Sequence, residues 1–272
     1  MALTQSLNRA FESRELLWNL TLRELRTKYR RSFLGWFWSL LNPISTVLIY
    51  SLVFGKLFKA SAPSGENSGI TAYSIYLMCG ILPWNFFGLV TNLGMNALVG
   101  NAGLVKKVAF QRQTLVMAQV IFSLVQFAIE ISILFVVVSA LGSPAWRFLW
   151  LLPVLMLLLG LFSAGIGFAL SVVYVYFRDL GYLWAILLQI WFFATPIIYS
   201  PDLLHGKGPA WVEDVARVNP MYLFTDSFRE VLYHGTMPPA WRFGELVVVT
   251  VISLAIGLEI FKKMSRRLAE EL

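Results

Sequence analysis

Two carboxylates that interrupt long apolar runs are the first residues in this sequence that could do chemistry. Glu130 lies within the apolar run 114–141, and Glu259 lies near the end of the run 243–261. A charged side chain at the centre of a membrane costs roughly 2.5–3.5 kcal/mol on insertion scales, so such a residue suggests a functional role. Glu259 can reach the membrane surface beside the lysines that follow it. For the deeper Glu130, proton coupling stays open beside hydrogen bonding between helices or a position facing a transport pathway.

The residues that common catalytic sites need are scarce. The two histidines, His205 and His234, lie in one connecting segment, and the single cysteine, Cys79, cannot form an internal disulfide. No H-E-x-x-H, G-x-S-x-G or Cys–His pattern can be assembled. The Gly-Lys pairs at 55–56 and 206–207 are not followed by the residues of a phosphate-binding P-loop. We therefore predict no catalytic site, no metal or cofactor site, and no means of hydrolysing ATP by this chain alone.

Composition indicates a membrane protein. The chain has 272 residues, of which 58% are hydrophobic and only 14% are charged, and its mean hydropathy is +0.68. Soluble domains carry about 25% charged residues, so a soluble enzyme, a disordered protein and a secreted disulfide scaffold are excluded. A helix needs roughly 20 mostly apolar residues to cross a bilayer. We predict an all-α, polytopic protein that forms one transmembrane domain, 1–272, with spans near 33–58, 72–98, 114–141, 149–176, 181–200 and 243–262. Small residues in the fourth span, such as Gly165 and Gly167, permit close contact between helices.

The basic residues predict the orientation, because Lys and Arg are enriched in cytoplasmic loops. With both termini in the cytoplasm, 15 of the 22 basic residues lie on that side, and the opposite side is neutral. The net charge of +7 is then a topology signal that needs no nucleic-acid partner. No cleavable signal peptide is evident, since the first 31 residues are polar and basic.

Residues 9–31 predict a helix that precedes the first span. One stripe of this helix is apolar and is flanked by arginines and a lysine; it consists of Phe11, Trp18, Leu22, Leu25 and Tyr29. A basic amphipathic helix beside a membrane usually lies in the interface. Leu16, Leu17 and Leu20 fall on the far side, where they either contact a protein partner or simply favour helix formation.

Two further segments lie between the predicted spans. Residues 100–113 can form a short cytoplasmic helix, although their basic side chains also fit an ordinary positively charged loop. In the outer segment 201–242, an amphipathic helix follows Asn219 and ends at Gly235, with Arg229 on its polar face. Such a helix can rest on the bilayer, dip into it or cover a pathway. Between the fourth and fifth spans, the adjacent charges Arg178 and Asp179 favour capping of the helix ends over direct contact with the substrate or an ATPase.

Aromatic residues make up 15% of the chain. The tryptophans at 36, 38 and 84 fit the belt in which aromatic rings lie at the headgroup level. Trp191, Phe192 and Phe193 lie in the middle of a span, where such a belt does not explain them. Flat rings can contact the C–H faces of sugars without holding them in a rigid register, although packing against lipid explains these rings equally well.

Taken together, six segments resemble the membrane subunit of ABC transporters that export polysaccharides, a group that includes O-antigen, capsule and teichoic-acid exporters. These segments are Lys28–Pro43, Gly80–Phe87, Asn101–Phe110, Tyr176–Leu180, Gln189–Tyr199 and Asn219–Met221. They follow the order of that family, and the likeness extends over nearly the whole chain. One departure is Gln111, because relatives often have proline before the arginine at the next position.

The resemblance implies a homodimer in a bacterial plasma or inner membrane, joined by two cytosolic ATPase subunits that bind ATP and magnesium. It implies coupling to the ATPases through Lys106, Lys107, Arg112, Arg23 and Arg26. A glycan, expected to be lipid-linked, passes between the first and fifth spans of the two protomers, along Trp36, Trp38, Trp191, Phe192, Phe193 and Tyr199. Re-entrant outer helices before the last span form a gate that includes Asn219, Pro220, Phe224 and Phe228.

Three other functions were weighed against this one. An ABC exporter of small hydrophobic molecules shares the six-span plan but fits the coupling motifs less well. A proton-driven carrier using Glu130 lacks a second intramembrane acid or base beside it, and an intramembrane hydrolase lacks its catalytic residues. The exported glycan stays open among O-antigen, capsule, teichoic acid and arabinogalactan-type polymers.

Overall fold

The computed structural model describes residues 15–26, 37–57, 62–108, 110–199 and 218–265. Within these residues every regular element is a helix, as predicted. The helices are α1 (15–26), α2 (Phe37–Tyr50, continued as a π-helix over Ser51–Leu57), α3 (Tyr73–Gly100), α4 (Ala102–Lys107), α5 (Gln113–Ala140), a 3-10 helix (Pro144–Phe148), α6 (Leu151–Tyr176), α7 (Leu180–Ala194), α8 (Pro220–Arg229, continued as a π-helix over Glu230–His234) and α9 (Ala240–Met264).

Four of the described helices, α3, α5, α6 and α9, are long and apolar enough to cross a membrane. Their bounds lie within three residues of the predicted second, third, fourth and sixth spans. The first predicted span is helical over its described part, 37–57, with an apolar stretch of only 44–53. The fifth is helical only over Leu180–Ala194. The prediction that the fifth span continues to residue 200 is wrong. Its helix ends at Ala194 because Pro196 lacks a backbone N–H and disfavours helical geometry at Thr195.

Helix α3 lies at the centre of the protein and packs against both α5 and α6. Its backbone approaches α6 closely at Gly94, where an added Cβ would lie 3.1 Å from the Cα of Gly167. Small residues permit such an approach between helices in a membrane. Farther along α3, Phe86 stacks on Phe127 of α5, with 4.6 Å between the ring centroids. The predicted role of small residues in the fourth span is thus confirmed.

Helix α9 meets the rest of the protein mainly through α6. The two backbones touch at Gly257 and Gly165, where a Cβ on Gly257 would overlap the carbonyl oxygen of Gly165. Ser253 adds a hydrogen bond from its hydroxyl to the Phe162 carbonyl oxygen, at 2.8 Å. One stripe of α9 is therefore held tightly, while its remaining surface is left exposed.

Helix α1 packs onto the chain's own core. Leu20 and Thr21 are buried, and Leu16 and Leu17 contact the core, whereas Trp18 is 62% exposed. The leucine face of α1 is therefore occupied within this chain, which corrects both explanations offered from the sequence. Phe11 and Tyr29, predicted on the opposite stripe, lie outside the described residues.

Candidate functional site

The side chain of Asn219 joins the start of α8 to the end of α7. Its Oδ1 accepts hydrogen bonds from the backbone N–H of Met221 at 3.0 Å and from Nε1–H of Trp191 at 2.8 Å. Its Nδ2 donates to the Thr195 hydroxyl at 2.8 Å and to the Ala194 carbonyl at 3.2 Å. Asn219 thus caps the N-terminus of α8 and also pairs with groups released by the break in α7.

Arg229 occupies the space beside the same break. The side chain is buried, and its Nη1 and Nη2 donate to the carbonyl oxygens of Pro196 and Ile197, each at 2.5 Å. The guanidinium also lies over the Tyr76 ring, 4.1 Å from the centroid. A Cβ on Gly80 would approach Nη2 to 2.7 Å, so a residue without a side chain lets α3 pass this close.

The burial of Arg229 corrects the prediction that it lies on the exposed polar face of α8. A non-helical segment leaves carbonyl oxygens without helical partners, and a planar guanidinium can donate to two of them at once. The sequence signal that could have revealed this role is Thr195-Pro196. It ends a helix inside an apolar run and creates a need for donors.

Helix α8 packs inside the protein and buries most of its side chains against other helices. Phe224 and Phe228 are fully buried. Their rings contact Phe162 of α6 and Phe127 of α5, with centroids 5.3 Å and 5.6 Å apart. Pro220 occupies the first helical turn, where its missing N–H costs nothing. The four predicted gate residues therefore lie together on one element.

The far end of α8 is fastened by backbone carbonyls. Gly235 ends the helix in the left-handed conformation, with φ +66°, as predicted from its position. The Ser143 hydroxyl donates to the Leu232 carbonyl at 3.0 Å, and the Ser68 hydroxyl donates to the Tyr233 carbonyl at 2.5 Å. Segments that precede α3 and α6 thus enclose the end of α8.

Charged groups link α8 to the start of α9. Arg242 pairs with Asp226 at 3.0 Å, and its Nε lies 3.9 Å from a carboxylate oxygen of Glu245. Burial raises the pKa of the Glu230 carboxyl to about 7, with a further increase from Asp226 and an opposing effect of Arg242. Among the described residues, the Arg242–Asp226 pair is the only ion pair between two helices. The other ion pairs lie within α1 or within α9.

The aromatic residues predicted to line a pathway separate into two groups. Trp191 and Phe192 pack against Trp84 of α3, with ring centroids 6.3 Å and 5.5 Å away, whereas Phe193 is 61% exposed. The Tyr199 hydroxyl donates to the Phe193 carbonyl at 3.0 Å. Trp36 and the side chain of Trp38 lie outside the described residues.

Trp84 was assigned to the interfacial belt from the sequence, and this was wrong. The ring is buried on α3, where it belongs to one cluster with Phe87 and the α7 aromatics. A neighbouring residue of α7, Trp184, is also buried and donates its Nε1–H to the Thr91 hydroxyl at 3.2 Å. Neither tryptophan was recognised as part of the site, because their contacts join α3 to α7 and the sequence does not show which distant segments pack together.

The predicted coupling residues lie near the junctions of short elements. Lys106 and Lys107 are exposed at the end of α4. Arg23 and Arg26 are exposed on α1, and Arg23 donates to Oδ1 of Asn101, at 2.8 Å. Asn101 immediately precedes α4, so α1 and α4 meet at one place. Arg112 makes a different contact from these residues, since it donates to the Ser265 carbonyl at the end of α9.

The remaining predicted residues were only partly understood from the sequence. Arg178 lies over the Tyr174 ring at 5.5 Å, and Asp179 precedes α7 but makes no side-chain capping bond, contrary to prediction.

Glu259 is exposed and pairs with Lys263 at 2.8 Å, in agreement with its predicted position near the surface. Glu130 is buried and accepts a hydrogen bond from Gln126 at 3.2 Å. Within the described residues no group of His, Cys, Asp and Glu could hold a metal ion.

Comparison with known proteins gives a consistent result over nearly the whole chain. Residues 15–233 match the model of a protein family described as ABC-2 type transporter. The chain is 30% identical over 263 residues to the O-antigen export system permease protein RfbA of Myxococcus xanthus, covering 96% of this chain and 97% of that protein. It is 26% identical to the RfbA permease of Klebsiella pneumoniae, with 94% of each covered. It is also 26% identical to the polysialic acid transport protein KpsM of Escherichia coli, over 89% of this chain and 91% of that protein.

Proposed function

Because the chain belongs to the ABC-2 type transporter family, we propose that it is the permease subunit of an ATP-driven exporter that moves a polysaccharide across the bacterial inner membrane. The observation that carries this proposal is the similarity along nearly the full chain to permeases of O-antigen and capsule export. Since the sequence has no P-loop, ATP and magnesium are bound by a separate subunit. The family also disfavours a proton-driven carrier, so Glu130 needs another role.

The assembly is a homodimer with six crossings per protomer, both termini in the cytoplasm and two ATPase subunits. The exposed face of α7 supports the dimer, because Trp184 is the only buried residue of this short helix. Large apolar side chains cover the rest of α7; they are Tyr182, Leu183, Ile186, Leu187, Ile190 and Phe193. A helix too short to cross by itself is better sheltered by a second copy than by lipid.

Movement of the ATPases is transmitted through α4 and α1. Lys106 and Lys107 present positive charge at the end of α4, and Arg23 holds α1 to the residue that precedes α4. Helix α4 follows α3 after a single residue, so a push on α4 acts directly on the central helix. Helix α3 contacts α8 through the Tyr76–Arg229 pair. Nucleotide-driven motion therefore reaches the outer gate through one rigid element.

The pathway and the gate are coupled at Asn219. Trp191 of the fifth span donates to this side chain, and the same side chain caps α8. Separation of the two protomers displaces α7 and therefore moves the start of α8 with it. A glycan chain, lipid-linked at one end, passes along the exposed aromatic surface that includes Phe193 and leaves past α8.

The proposal is tested by purifying the native complex and replacing the α4 lysines. We expect a stoichiometric ATPase to co-purify with the chain, and glycan to accumulate in the cytoplasm of depleted cells. The double variant Lys106→Glu, Lys107→Glu is expected to abolish glycan export while the purified complex still hydrolyses ATP. The matched control is Lys262→Glu, Lys263→Glu, which reverses two exposed charges at the end of α9. Normal export in depleted cells, or the absence of any ATPase from an intact complex, contradicts the proposed function.

A further inference from the structure

A polar groove lies between α3 and α5, away from the aromatic cluster. Its volume is about 360 Å³. The residues that line it are Asn85, Phe86, Gly88, Leu89, Asn92, Ser123, Gln126, Phe127 and Glu130. Both helices are long and apolar enough to cross a membrane, and the groove lies along the middle part of each, so we expect these polar side chains at the depth of the hydrocarbon core. Polar groups at this depth require partners from protein, water or a ligand.

The polar side chains of the groove form two facing stripes. On α3, Asn85, Asn92 and Asn96 are exposed and recur at intervals of seven and four residues, which places them on one face. On α5, the polar residues Gln119, Ser123, Gln126 and Glu130 share one face in the same way and extend toward its cytoplasmic end. Since α3 and α5 are antiparallel, the two stripes run side by side. Both extend from the middle of the helices toward the end of α3 that precedes α4. Such a track is unusual in helices that otherwise carry apolar residues.

The groove offers both hydrogen-bond donors and acceptors. The Ser123 hydroxyl lines the groove, is fully buried and has no hydrogen-bond partner within the described part of the chain. Asn92 uses its Nδ2 to donate to the Gly88 carbonyl at 2.7 Å, so its amide oxygen is directed to accept elsewhere. The stacked rings of Phe86 and Phe127 add an apolar surface. A surface of amides, a hydroxyl, a carboxyl and flat rings matches the alternating O–H and C–H groups of a sugar ring.

We propose that this groove binds a neutral sugar unit of the exported glycan. The inference rests on the proposed function. It gives the glycan a second contact in addition to the aromatic surface of α7. Its volume falls at the lower end of the roughly 300–1,000 Å³ of small-molecule sites and far exceeds that of a single cation. The lining residues include no Lys or Arg. The groove therefore offers no positive charge to balance an anionic sugar, while the hydroxyl groups of a neutral sugar find partners along both stripes.

Photo-crosslinking in cells locates the glycan directly. A diazirine amino acid replaces Asn92 in the full-length chain, and a second strain carries it at Val251, a 57% exposed position of α9. The cell's own glycan is labelled with a radioactive neutral sugar precursor. We expect labelled adducts at position 92 during export and none at position 251. Equal labelling at the two positions, or adducts at neither in cells that export normally, overturns the proposal.

A pair of substitutions measures how much the groove contributes. The variant Asn85→Leu, Asn92→Leu is expected to lower the export rate about tenfold, because it removes two polar contacts to the sugar. The conservative variant Asn92→Gln is expected to retain most of the export. Ser132→Leu is the matched control, since Ser132 lies on the opposite, exposed face of α5. Co-purification of the ATPase verifies that each variant assembles.

The two proposals fail in different ways. If the unmodified chain neither exports glycan nor binds an ATPase, the proposed function fails, and the groove loses its ligand with it. If the unmodified chain exports glycan and Asn85→Leu, Asn92→Leu exports it at the same rate, only the groove proposal is overturned.

Discussion

Helices α3 and α9 have similar lengths, 28 and 25 residues, yet they differ strongly in how much of their surface is buried within the protein. In the most apolar part of each helix, 83% of α3 is buried within the protein but only 17% of α9. The exposed helix is the more hydrophobic of the two. In a membrane, apolar side chains are satisfied by lipid, so hydrophobicity does not bring a helix into the protein interior. The interior of this chain is occupied instead by the helix with more polar contacts to make.

The contacts of the two helices differ accordingly. Helix α3 receives Arg229 beside Gly80 and pairs Thr91 with Trp184. Helix α9 buries one narrow stripe, composed of Arg242, Leu246, Thr250, Gly257 and Phe261. The surroundings of α3 therefore include a buried guanidinium and an indole donor. Helix α9 is held along one stripe by its close backbone contact with α6, the Ser253–Phe162 hydrogen bond and the Arg242–Asp226 ion pair. The following substitutions test that difference.

The largest effect is expected from Arg229→Met. The variant leaves the carbonyl oxygens of Pro196 and Ile197 buried without their donors, at a cost of roughly 1–3 kcal/mol for each unsatisfied group. We expect a marked fall in the free energy of unfolding, measured by denaturant titration of the full chain in mixed micelles. The control on α9 is Val251→Ala, which is expected to change that free energy by about 0.5 kcal/mol or less. Equal losses in both variants would falsify the contrast between the helices.

A smaller effect is expected from Gly257→Ala, at the close backbone contact between α9 and α6. The added Cβ overlaps the Gly165 carbonyl and must push α9 away from α6, an overpacking that typically costs about 1–3 kcal/mol. The matched control is Gly244→Ala on the same helix, where a Cβ meets open space and the helix gains up to about 1 kcal/mol. Opposite signs for the two variants are the expected result of thermal unfolding. If both stabilise the protein, α9 is held by lipid rather than by this contact.

The smallest effect is expected from the pH dependence of the charged groups that link α8 to α9. Burial raises the pKa of Glu230 to about 7, above its ordinary value of 4.5. A raised pKa means that the folded state holds the proton more tightly, so the stabilisation is complete below about pH 4.5 and is lost as the pH rises through 7. We expect hydrogen exchange of residues 220–234 to be faster at pH 8 than at pH 5.5, after correction for the intrinsic rate.

Two variants isolate the contribution of Glu230. In Glu230→Gln, the pH dependence of the corrected hydrogen-exchange rate is expected to disappear, because the amide does not titrate. In the control Glu245→Gln it is expected to persist, since that side chain is 47% exposed. Loss of the pH dependence in both variants would assign it to the general charge of the cluster rather than to the buried carboxyl.

Prediction from the sequence succeeded where a single segment carries the physical information. The limits of α3, α5, α6 and α9 follow from uninterrupted apolar runs. The start of α8 follows from Asn219-Pro220, and its end follows from Gly235, because caps and stops act locally. The resemblance to polysaccharide exporters was confirmed for the same reason, since it rests on short motifs in a fixed order.

Prediction failed where a residue's role depends on a distant segment. Arg229 was placed on an exposed face because its neighbours on the helix, Asp226 and Glu230, are charged. It is buried because the broken end of α7 supplies carbonyl oxygens that lie more than 30 residues away in the chain. Trp84 was placed at the membrane surface because the sequence does not show that Trp191 packs against it.

The sequence by itself therefore determined that this chain is an all-helical membrane protein, which segments are its long helices, and to which family it belongs. Hydrocarbon thickness and local capping set those features, and both act along the chain. Only the tertiary structure decided which helix lies at the centre and which aromatic residues meet. It also decided that α8 is bonded by Asn219 and Arg229 to the end of α7 and to the residues that follow it. Those outcomes depend on hydrogen bonds between segments that are distant in sequence, and apolar composition carries no information about such partners.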